Sequence, residues 1–294
     1  MNLTTENTTI GFIGIGVMGK SMAGHLLEAG YKLHLFTRTK EKAQELIDRG
    51  AEWESSVASL AAKCNVIIAI VGFPKDVEEV FLNEGGIVEN ANSGSYIIDM
   101  TTSRPELAVT IYERAKEKGI MALDAPVSGG DTGAREARLS IMVGGDAEAF
   151  KAVLPLLGLM GKNIVLQGPA GAGQHCKMCN QIAIASNMIG VCEAVAYAKY
   201  SGLDPETVLK SIESGAAGSW SLSNLAPRVI AGNFDPGFFV KHFIKDMRIA
   251  SSSSKSMNLD TPGLNLALSL YNQLAEKGGE DFGTQALYKL YENK

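Results

Sequence analysis

The sequence predicts an α/β domain built around a parallel sheet, followed by an all-α domain. Short runs rich in β-branched residues alternate with helical patterns up to Gly168, which is typical of βαβ units. After Gly168 the strand patterns stop, and a helical pattern of about 30 residues follows, which would span about 45 Å. We expect this long helix to join two domains, residues 1–168 and residues 169–294.

The size and charge of the chain limit what it can be. It has 294 residues, 46% of them hydrophobic, which is enough for two cores. Its net charge of -5 is spread evenly, without a basic stripe, so we expect no nucleic-acid partner. The start "MNLTTENTT" does not resemble a signal peptide, and "VIIAIVG" is far shorter than the roughly 20 residues of a membrane span. We therefore expect a cytoplasmic protein with no membrane partner.

The predicted elements follow one another in a regular order. The strands of the first domain are "TIGFIGIG", "YKLHLF", "NVIIAIVG", "GSYIIDM", "GIMALDAP", "LSIMVGG" and "KNIVLQG". Helices are predicted from the first glycine-rich loop to Ala29 and over 40–49, 75–82, 104–118 and 146–160. In the second domain helices are predicted over 171–201, 204–214, 221–231, 241–257, 263–276 and 283–290.

A glycine-rich loop follows the first strand. In "GFIGIGVMG", Gly14, Gly16 and Gly19 stand where a strand ends and a helix opens. Glycines there permit a tight turn, a close approach of the backbone to a pyrophosphate and close packing of helix on sheet. The motif predicts a Rossmann dinucleotide-binding domain. The cofactor contacts expected from this loop are Gly14, Ile15, Gly16, Val17, Met18 and Gly19.

The end of the second strand indicates which dinucleotide binds. NAD enzymes usually carry an acidic residue there for the ribose hydroxyls. This chain reads "HLFTRTKEK", with Thr37, Arg38 and Thr39 at that place. Arg38 can pair with a 2′-phosphate. We therefore expect NADP, with NAD as the alternative in which Arg38 is a solvated residue beside Glu41.

Two segments carry candidate ligand-binding groups after later strands. In "DMTTSRPE", Thr101 and Thr102 lie at the carboxyl edge of the sheet, where ligands bind, although hydroxyls at such positions also cap helices. In "DAPVSGGDTGA", Ser128, Gly129 and Gly130 can present a hydroxyl and backbone N–H groups to a carboxylate. An ordinary glycine-rich turn is the other interpretation of the second segment.

The long predicted helix carries the candidate acid/base. In "CKMCN", Lys177 and Asn180 are three residues apart and share one helix face. A buried ammonium is costly unless it meets a partner or loses its proton. At a ligand cleft, Lys177 would exchange a proton with a substrate oxygen, and its pKa would have to fall towards neutrality. Lys245, in "FIKDMRIA", is a candidate cationic neighbour, or half of an exposed Lys–Asp pair.

The cysteines beside Lys177 form a C-x-x-C sequence. A zinc site would need two more ligands at similar spacing, and the sequence offers none beyond His175. We therefore expect no metal and no redox function from Cys176 and Cys179. Four cysteines are also too few for a disulfide scaffold.

Four segments in this order resemble the β-hydroxyacid dehydrogenase family, which includes 3-hydroxyisobutyrate dehydrogenase, tartronate semialdehyde reductase, and glyoxylate and succinic semialdehyde reductases. "GFIGIGVMG" is similar to the family's cofactor loop, "DAPVSGG" to its substrate loop, "GAGQHCKMCNQ" to its catalytic segment and "KDM" to its late Lys-Asp motif. The resemblance covers nearly the whole chain. It implies the two-domain plan of 6-phosphogluconate dehydrogenase.

The resemblance also implies roles for individual residues. They are Lys177 as catalytic acid/base, Asn180 as a substrate-site partner, Ser128, Gly129 and Gly130 as a carboxylate cradle, Thr102 as a contact on the nicotinamide side, Lys245 as a cofactor or substrate contact, and Phe73 with Pro74 near the cofactor. The sequence departs from the family pattern twice. Gln181 stands where a second asparagine is frequent, and Ala137, Arg138 and Leu139 replace Gly-Thr-Leu.

The expected activity is hydride transfer between NADP(H) or NAD(H) and a small β-hydroxy acid or its semialdehyde. Two alternatives are a reductase of C=N bonds, which typically lacks the lysine, and a nucleotide-binding module without turnover. A third alternative, 6-phosphogluconate dehydrogenase itself, does not fit, because its chain is much longer than this one. Because the long helix offers more apolar surface than one small domain covers, we expect a homodimer or homotetramer.

Overall fold

The computed structural model describes residues 3–292. They form two compact units, of which the first ends at Lys177 and the second begins at Met178. The first unit holds the sheet, and the second is helical apart from a single β-bridge between Phe239 and Gly283.

The first unit is built on one sheet. Within residues 3–292 its strands are β1 (Thr9–Ile13), β2 (Lys32–Phe36), β3 (Glu52–Trp53), β4 (Val66–Ala69), β5 (Tyr96–Asp99), β6 (Met121–Asp124), β7 (Val127–Ser128), β8 (Leu139–Gly145) and β9 (Gly161–Gly168). Their order is β3-β2-β1-β4-β5-β6-β8-β7, with β9 beside β8. All pairings from β3 to β6 are parallel, whereas β8 runs antiparallel to β6. The order reverses between β1 and β4, which is the point where open sheets of this kind bind nucleotides.

The sheet is buried on both faces. In β4, Val66 and Ile68 belong to one apolar core, and Ile67 and Ala69 belong to a second one. Strands covered on both sides have no polar face, which is why the sequence shows continuous apolar runs instead of alternation.

The helices that cover the sheet are close to those predicted. They are α1 (Val17–Glu28), α2 (Gln44–Asp48), α3 (Val57–Lys63), α4 (Pro74–Leu82), α5 (Ile87–Asn90), α6 (Pro105–Glu117), α7 (Gly130–Arg135) and α8 (Ala147–Leu157). The predicted helix over 40–49 begins instead as a 3-10 turn, Lys40–Ala43. The short strands β3 and β7 and the helices α3, α5 and α7 were missed, because such short segments carry little periodicity.

A buried carboxylate follows β3. Glu54 accepts hydrogen bonds from His34 Nδ1 at 2.8 Å, from Lys63 Nζ at 2.7 Å and from the Ser59 hydroxyl. Burial by itself would raise the pKa of Glu54, but the bonds from Lys63, Ser59 and His34 outweigh burial and lower that pKa to about 2. His34 therefore has an acidic partner, which the sequence did not reveal.

The lowered pKa of Glu54 predicts a dependence of stability on pH. A depressed carboxyl pKa stabilises the fold above the ordinary value of 4.5, and that stabilisation is lost as pH falls towards about 2. We expect the gap in urea midpoint between wild type and Glu54→Gln to shrink as pH falls through this window. Glu148→Gln, which removes an exposed carboxylate paired with Lys151, is the matched control and should show a small gap. A gap for Glu54→Gln that stays constant with pH would contradict this account.

The second unit contains helices and connecting turns. Its helices are α9 (Ala172–Tyr200), which begins in the first unit, α10 (Pro205–Ile212), α11 (Trp220–Asn224), α12 (Ala226–Ile230), α13 (Val240–Ser256) and α14 (Pro262–Glu276). One helix was predicted over 221–231, but two form, because Pro227 cannot donate a backbone hydrogen bond in mid-helix. The last predicted helix is a 3-10 helix, Thr284–Leu290. In the core, the rings of Phe243 and Tyr271 meet edge to face at 5.0 Å.

α9 is, within the described part of the chain, the helix long and apolar enough to cross a membrane by length and composition. Half of its most apolar stretch is buried inside the protein. Core helices of soluble proteins meet the same criteria, so this feature is weak evidence for a membrane span.

Candidate active site

The glycines of the first loop are required for two different reasons. Gly14 has φ +97°, and a Cβ there would lie 2.0 Å from the Ile70 carbonyl oxygen. A Cβ on Gly19 would lie 1.9 Å from the Gly14 oxygen. At Gly16 a Cβ would meet nothing within 4 Å, so the space beside it is open. Packing within the chain explains Gly14 and Gly19, whereas Gly16 leaves room for a ligand.

The open space at Gly16 lies at the N-terminus of α1. Gly16 is the N-cap, it makes no side-chain cap, and the first turn carries no acidic residue. The first N–H groups of α1 can therefore bind a phosphate, which fits a pyrophosphate at this position. Of the other predicted loop contacts, Ile15 is buried in the core, Met18 is partly buried and Val17 is exposed.

Arg38 lies just beyond the end of β2. Its side chain is 81% exposed, and its Nη1 is 3.4 Å from Asp76 Oδ1. The other Asp76 oxygen accepts a hydrogen bond from the Phe73 N–H at 2.9 Å, at the start of α4, where Pro74 is the first residue. The ionic partner of Arg38 is therefore Asp76 and not the Glu41 of the alternative interpretation. Such a long, exposed contact leaves the guanidinium free to turn towards a phosphate.

Thr37 and Thr39 flank Arg38. Thr37 is partly buried and Thr39 is exposed. Thr39 caps the following 3-10 turn only through its backbone, so its hydroxyl does not serve as the cap.

The loop after β5 is tied to the loop after β4. The buried Thr101 hydroxyl accepts a hydrogen bond from the Val71 N–H at 2.9 Å. It does not cap α6, whose N-cap is Arg104. Thr102, the predicted cofactor contact, follows directly and is partly buried. Thr101 thus connects two neighbouring loops at the carboxyl edge of the sheet.

Gln174, in the first turn of α9, binds the same loop. Its Nε2 donates to the Thr101 carbonyl at 2.7 Å, and its Oε1 accepts from the Ser103 N–H at 2.9 Å. Gln174 is fully buried. The sequence analysis did not single it out, and its side chain fixes α9 against the loop after β5.

Asp124, the last residue of β6, holds the N-terminus of α9. Its Oδ1 accepts from the Gly171 N–H at 2.7 Å and its Oδ2 from the Gln174 N–H at 2.8 Å. Burial raises the pKa of Asp124, and these backbone hydrogen bonds oppose that rise. Asp124 was not predicted as a site residue, although its place at a strand end next to a glycine-rich turn was visible in the sequence.

The glycines before Lys177 permit this docking. A Cβ on Gly173 would lie 2.4 Å from the Met142 carbonyl oxygen, and a Cβ on Gly144 would lie 2.7 Å from the Gly173 nitrogen. The first turn of α9 therefore packs directly on the backbone of the sheet. Lys177 follows one turn later and is only 6% exposed. The spacing G-x-x-x-K thus puts Lys177 one helical turn after the contact between α9 and the sheet.

The predicted carboxylate cradle is a turn between β7 and α7. Ser128 ends β7, and Gly129 and Gly130 have φ values of +131° and +64°. Gly129 is exposed, and Ser128 and Gly130 are partly buried. Ala137, after α7, has φ +51°, a left-handed conformation that favours glycine.

Asn180 and Lys245 belong to the second unit, where two hydrogen bonds and an ion pair link them. Asn180 Nδ2 donates to Gln181 Oε1 at 2.7 Å, and Gln181 Nε2 donates to Asp246 Oδ2 at 2.5 Å. Lys245 Nζ lies 2.9 Å from Asp246 Oδ1. This contact is an ion pair and not a well-aligned hydrogen bond. The two side chains are 12% and 2% exposed, so the Lys–Asp pair is buried and not exposed.

The two thiols beside Lys177 differ in exposure. Cys176 is partly buried and Cys179 is exposed.

Within the described residues, the ligand atoms of His34, Glu52 and Glu54 lie close enough together to hold a metal ion. Lys63 already donates to Glu54 at that point, so the carboxylate has its countercharge without a metal.

A parallel sheet of this order, with a glycine loop at its switch point, defines a dinucleotide-binding fold. Residues 9–168 match the family described as the NAD binding domain of 6-phosphogluconate dehydrogenase. Residues 171–291 match the family described as NAD-binding of NADP-dependent 3-hydroxyisobutyrate dehydrogenase.

The similarity to known proteins covers nearly the whole chain. The chain is 62% identical over 283 residues to the uncharacterized oxidoreductase YkwC of Bacillus subtilis, covering 96% of this chain and 98% of that one. It is 38% identical to 2-hydroxy-3-oxopropionate reductase of Escherichia coli, covering 96% and 97%. A structure of Mycobacterium tuberculosis 3-hydroxyisobutyrate dehydrogenase with L-serine has a TM-score of 0.89 at 27% identity, covering 97% and 99%. The chain belongs to the β-hydroxyacid dehydrogenase family, as the sequence motifs predicted.

Proposed function

We propose that this protein transfers hydride between NADP(H) and a small β-hydroxy acid or its semialdehyde, with Lys177 as acid/base. The observation that carries the proposal is the position of Lys177. This residue is almost fully buried on a helix whose first turn is bonded to the end of β6 through Asp124 and to the loop after β5 through Gln174. Nicotinamide cofactors bind at this edge in sheets of this order.

The residues then have separate tasks. Lys177, as the neutral amine, accepts the proton of the substrate hydroxyl, and as the ammonium it donates a proton to the aldehyde oxygen in reduction. Ser128, Gly129 and Gly130 hold the substrate carboxylate, while Asn180 and Lys245 complete the substrate site. The glycine loop with Phe73, Pro74 and Thr102 holds the cofactor. When bound, the nicotinamide supplies or accepts the hydride at the carbon that changes oxidation state.

The similar proteins and the predicted site both support this substrate class. Two of them are named as a 3-hydroxyisobutyrate dehydrogenase and a 2-hydroxy-3-oxopropionate reductase, and the compounds in both names are short acids with an oxygen on C3. A short carboxylate suits the exposed turn at Gly129, whose backbone N–H groups we propose as its hydrogen-bond donors.

The test is the absorbance at 340 nm with each cofactor and a substrate panel: 3-hydroxyisobutyrate, serine, glycerate, tartronate semialdehyde, glyoxylate, succinic semialdehyde and a cyclic imine. Turnover of hydroxy acids or semialdehydes supports the proposal. Turnover of the imine alone would favour a C=N reductase. Cofactor binding without any turnover would favour a non-catalytic module.

The choice of NADP predicts the effect of Arg38→Ala. Loss of an exposed guanidinium that pairs with the 2′-phosphate should raise KM for NADP by about tenfold, because a charge-assisted contact contributes about 1.5 kcal/mol. KM for NAD, which lacks that phosphate, should change little. Arg49→Ala, which removes an exposed arginine paired with Glu28, is the matched control. Equal changes in KM for both cofactors would overturn the preference for NADP.

We also propose a homodimer or homotetramer in the cytoplasm. Large apolar side chains of the second unit, among them Tyr197, Tyr200 and Leu203, are exposed, and a partner subunit would cover them. The thiols of Cys64 and Cys192 are free, as is usual in a reducing compartment. Light scattering after gel filtration measures the mass of the oligomer, and a monomer at micromolar concentration would contradict the proposed assembly.

A further inference from the structure

The four linked side chains Asn180, Gln181, Asp246 and Lys245 have a fixed hydrogen-bond direction. A carboxylate has no proton to donate, so Asp246 can only accept. Gln181 must therefore point its Nε2 towards Asp246, where the distance is 2.5 Å, and its Oε1 towards Asn180. Asn180 must in turn offer its Nδ2 to that oxygen, at 2.7 Å.

The buried charge makes this direction hard to reverse. Asp246 and Gln181 are each 1% exposed, so water does not replace a lost partner. Lys245 supplies the countercharge of the Asp246 carboxylate at 2.9 Å. A flipped Gln181 amide would place its oxygen against a carboxylate oxygen, and two buried acceptors in contact repel each other.

The consequence concerns Asn180, which is the last of the four linked side chains. The bond from one Nδ2 hydrogen to Gln181 fixes the Asn180 amide with its Oδ1, which can only accept, on the side away from Gln181. Asn180 is partly buried and stands three residues after Lys177 on α9, so both side chains project from one face of that helix. A ligand held at this face meets an acceptor beside the amine.

We propose that Gln181 and Asp246 are positioning residues that fix Asn180 as a hydrogen-bond acceptor, and that the site therefore prefers acids with a donor group on C2. Such groups are a hydroxyl, as in glycerate, or an ammonium, as in serine, whereas 3-hydroxyisobutyrate has a methyl group there. The inference rests on the proposed function and specifies its substrate class. The donor on C2 bonds to Asn180 Oδ1, while the C3 hydroxyl faces Lys177.

The experiment compares kcat/KM for glycerate and for 3-hydroxyisobutyrate at saturating NADP. In the wild type the ratio should favour glycerate by about tenfold or more, the effect of one buried hydrogen bond. In Gln181→Met, which keeps the side-chain length but releases Asn180, the ratio should fall by about tenfold. The fall should come from KM and kcat for glycerate, with KM for NADP unchanged.

Two further variants separate orientation from mere structural support. In Gln181→Glu a second carboxylate faces Asp246, and the pair must hold a proton, so activity should rise as pH falls. In the double variant Gln181→Glu/Asp246→Asn, the new asparagine donates to the glutamate, which again accepts from Asn180. The double variant should keep the wild-type ratio to within about threefold and lose the pH dependence of the single variant.

The matched control is Gln285→Met. Gln285 is also 1% exposed, and its Nε2 donates to the backbone carbonyls of Asn233 and Asp235. This variant should lose stability but keep the substrate ratio. If the wild type turns over hydroxy acids but the ratio is the same in Gln181→Met, the inference is wrong while the proposed function stands. If the wild type turns over no hydroxy acid or semialdehyde, the proposed function fails first.

Discussion

Lys177→Ala is expected to lower kcat by about 10²-fold to 10⁴-fold, which is the usual contribution of a positioned general acid/base. Lys177 is 6% exposed and lies one helical turn after the docked start of α9. Without it, within our proposal, the C3 hydroxyl proton has no acceptor at the carbon that loses hydride. The dissociation constant of NADPH should change by less than about threefold, because the cofactor contacts are proposed for other residues. Steady-state kinetics and fluorescence titration with NADPH measure the two quantities.

Two variants make this result specific. Lys177→Met keeps most of the side-chain volume, so a loss of turnover equal to that of Lys177→Ala would assign the effect to the amine and not to a cavity. Lys199→Ala changes an exposed lysine on the same helix, which lies over the Tyr288 ring at 4.9 Å, and should leave kcat unchanged. Turnover in Lys177→Met close to the wild-type rate would remove Lys177 from the chemistry.

The predictable parts of this protein are those that local sequence encodes. The dinucleotide loop is a strand, a turn and a helix in direct succession, so the spacing of Gly14, Gly16 and Gly19 was sufficient to place it. The pairing of Lys177 with Asn180 on one face also follows from helical spacing alone. The switch from alternating strands and helices to helices only placed the change of fold class near Gly168.

The parts that were missed depend on contacts between distant residues. Asp124 and Gly171 are 47 positions apart, Gln174 and Thr101 are 73 apart, and Gln181 and Asp246 are 65 apart. Periodicity and capping rules describe neighbours within a few residues, so they cannot show which buried acceptor meets which distant donor. For the same reason the sequence showed Gln181 only as a departure from a family pattern. The structure gives it a bonding direction.

The Asp124 contact with α9 provides a second test with a large expected effect. Asp124→Ala leaves the Gly171 and Gln174 N–H groups buried without their acceptor, and each such group costs about 1 to 3 kcal/mol. We expect the free energy of unfolding to fall by about 2 to 5 kcal/mol, measured by urea denaturation. Asp204→Ala is the matched control, because Asp204 caps α10 through the Thr207 N–H at an exposed site. It should cost about 1 kcal/mol.

Asp124→Ala should also affect the rate of hydride transfer. Asp124 and Gln174 hold the turn of α9 that precedes Lys177, so a shift of that turn moves the amine. A displacement of about 1 Å at a reacting group can lower the rate by about 10²-fold. Folded Asp124→Ala should therefore lose kcat even below its unfolding temperature, whereas Asp204→Ala should not. A folded Asp124→Ala enzyme with wild-type kcat would show that α9 is positioned by the Gln174 contacts and its glycine packing alone.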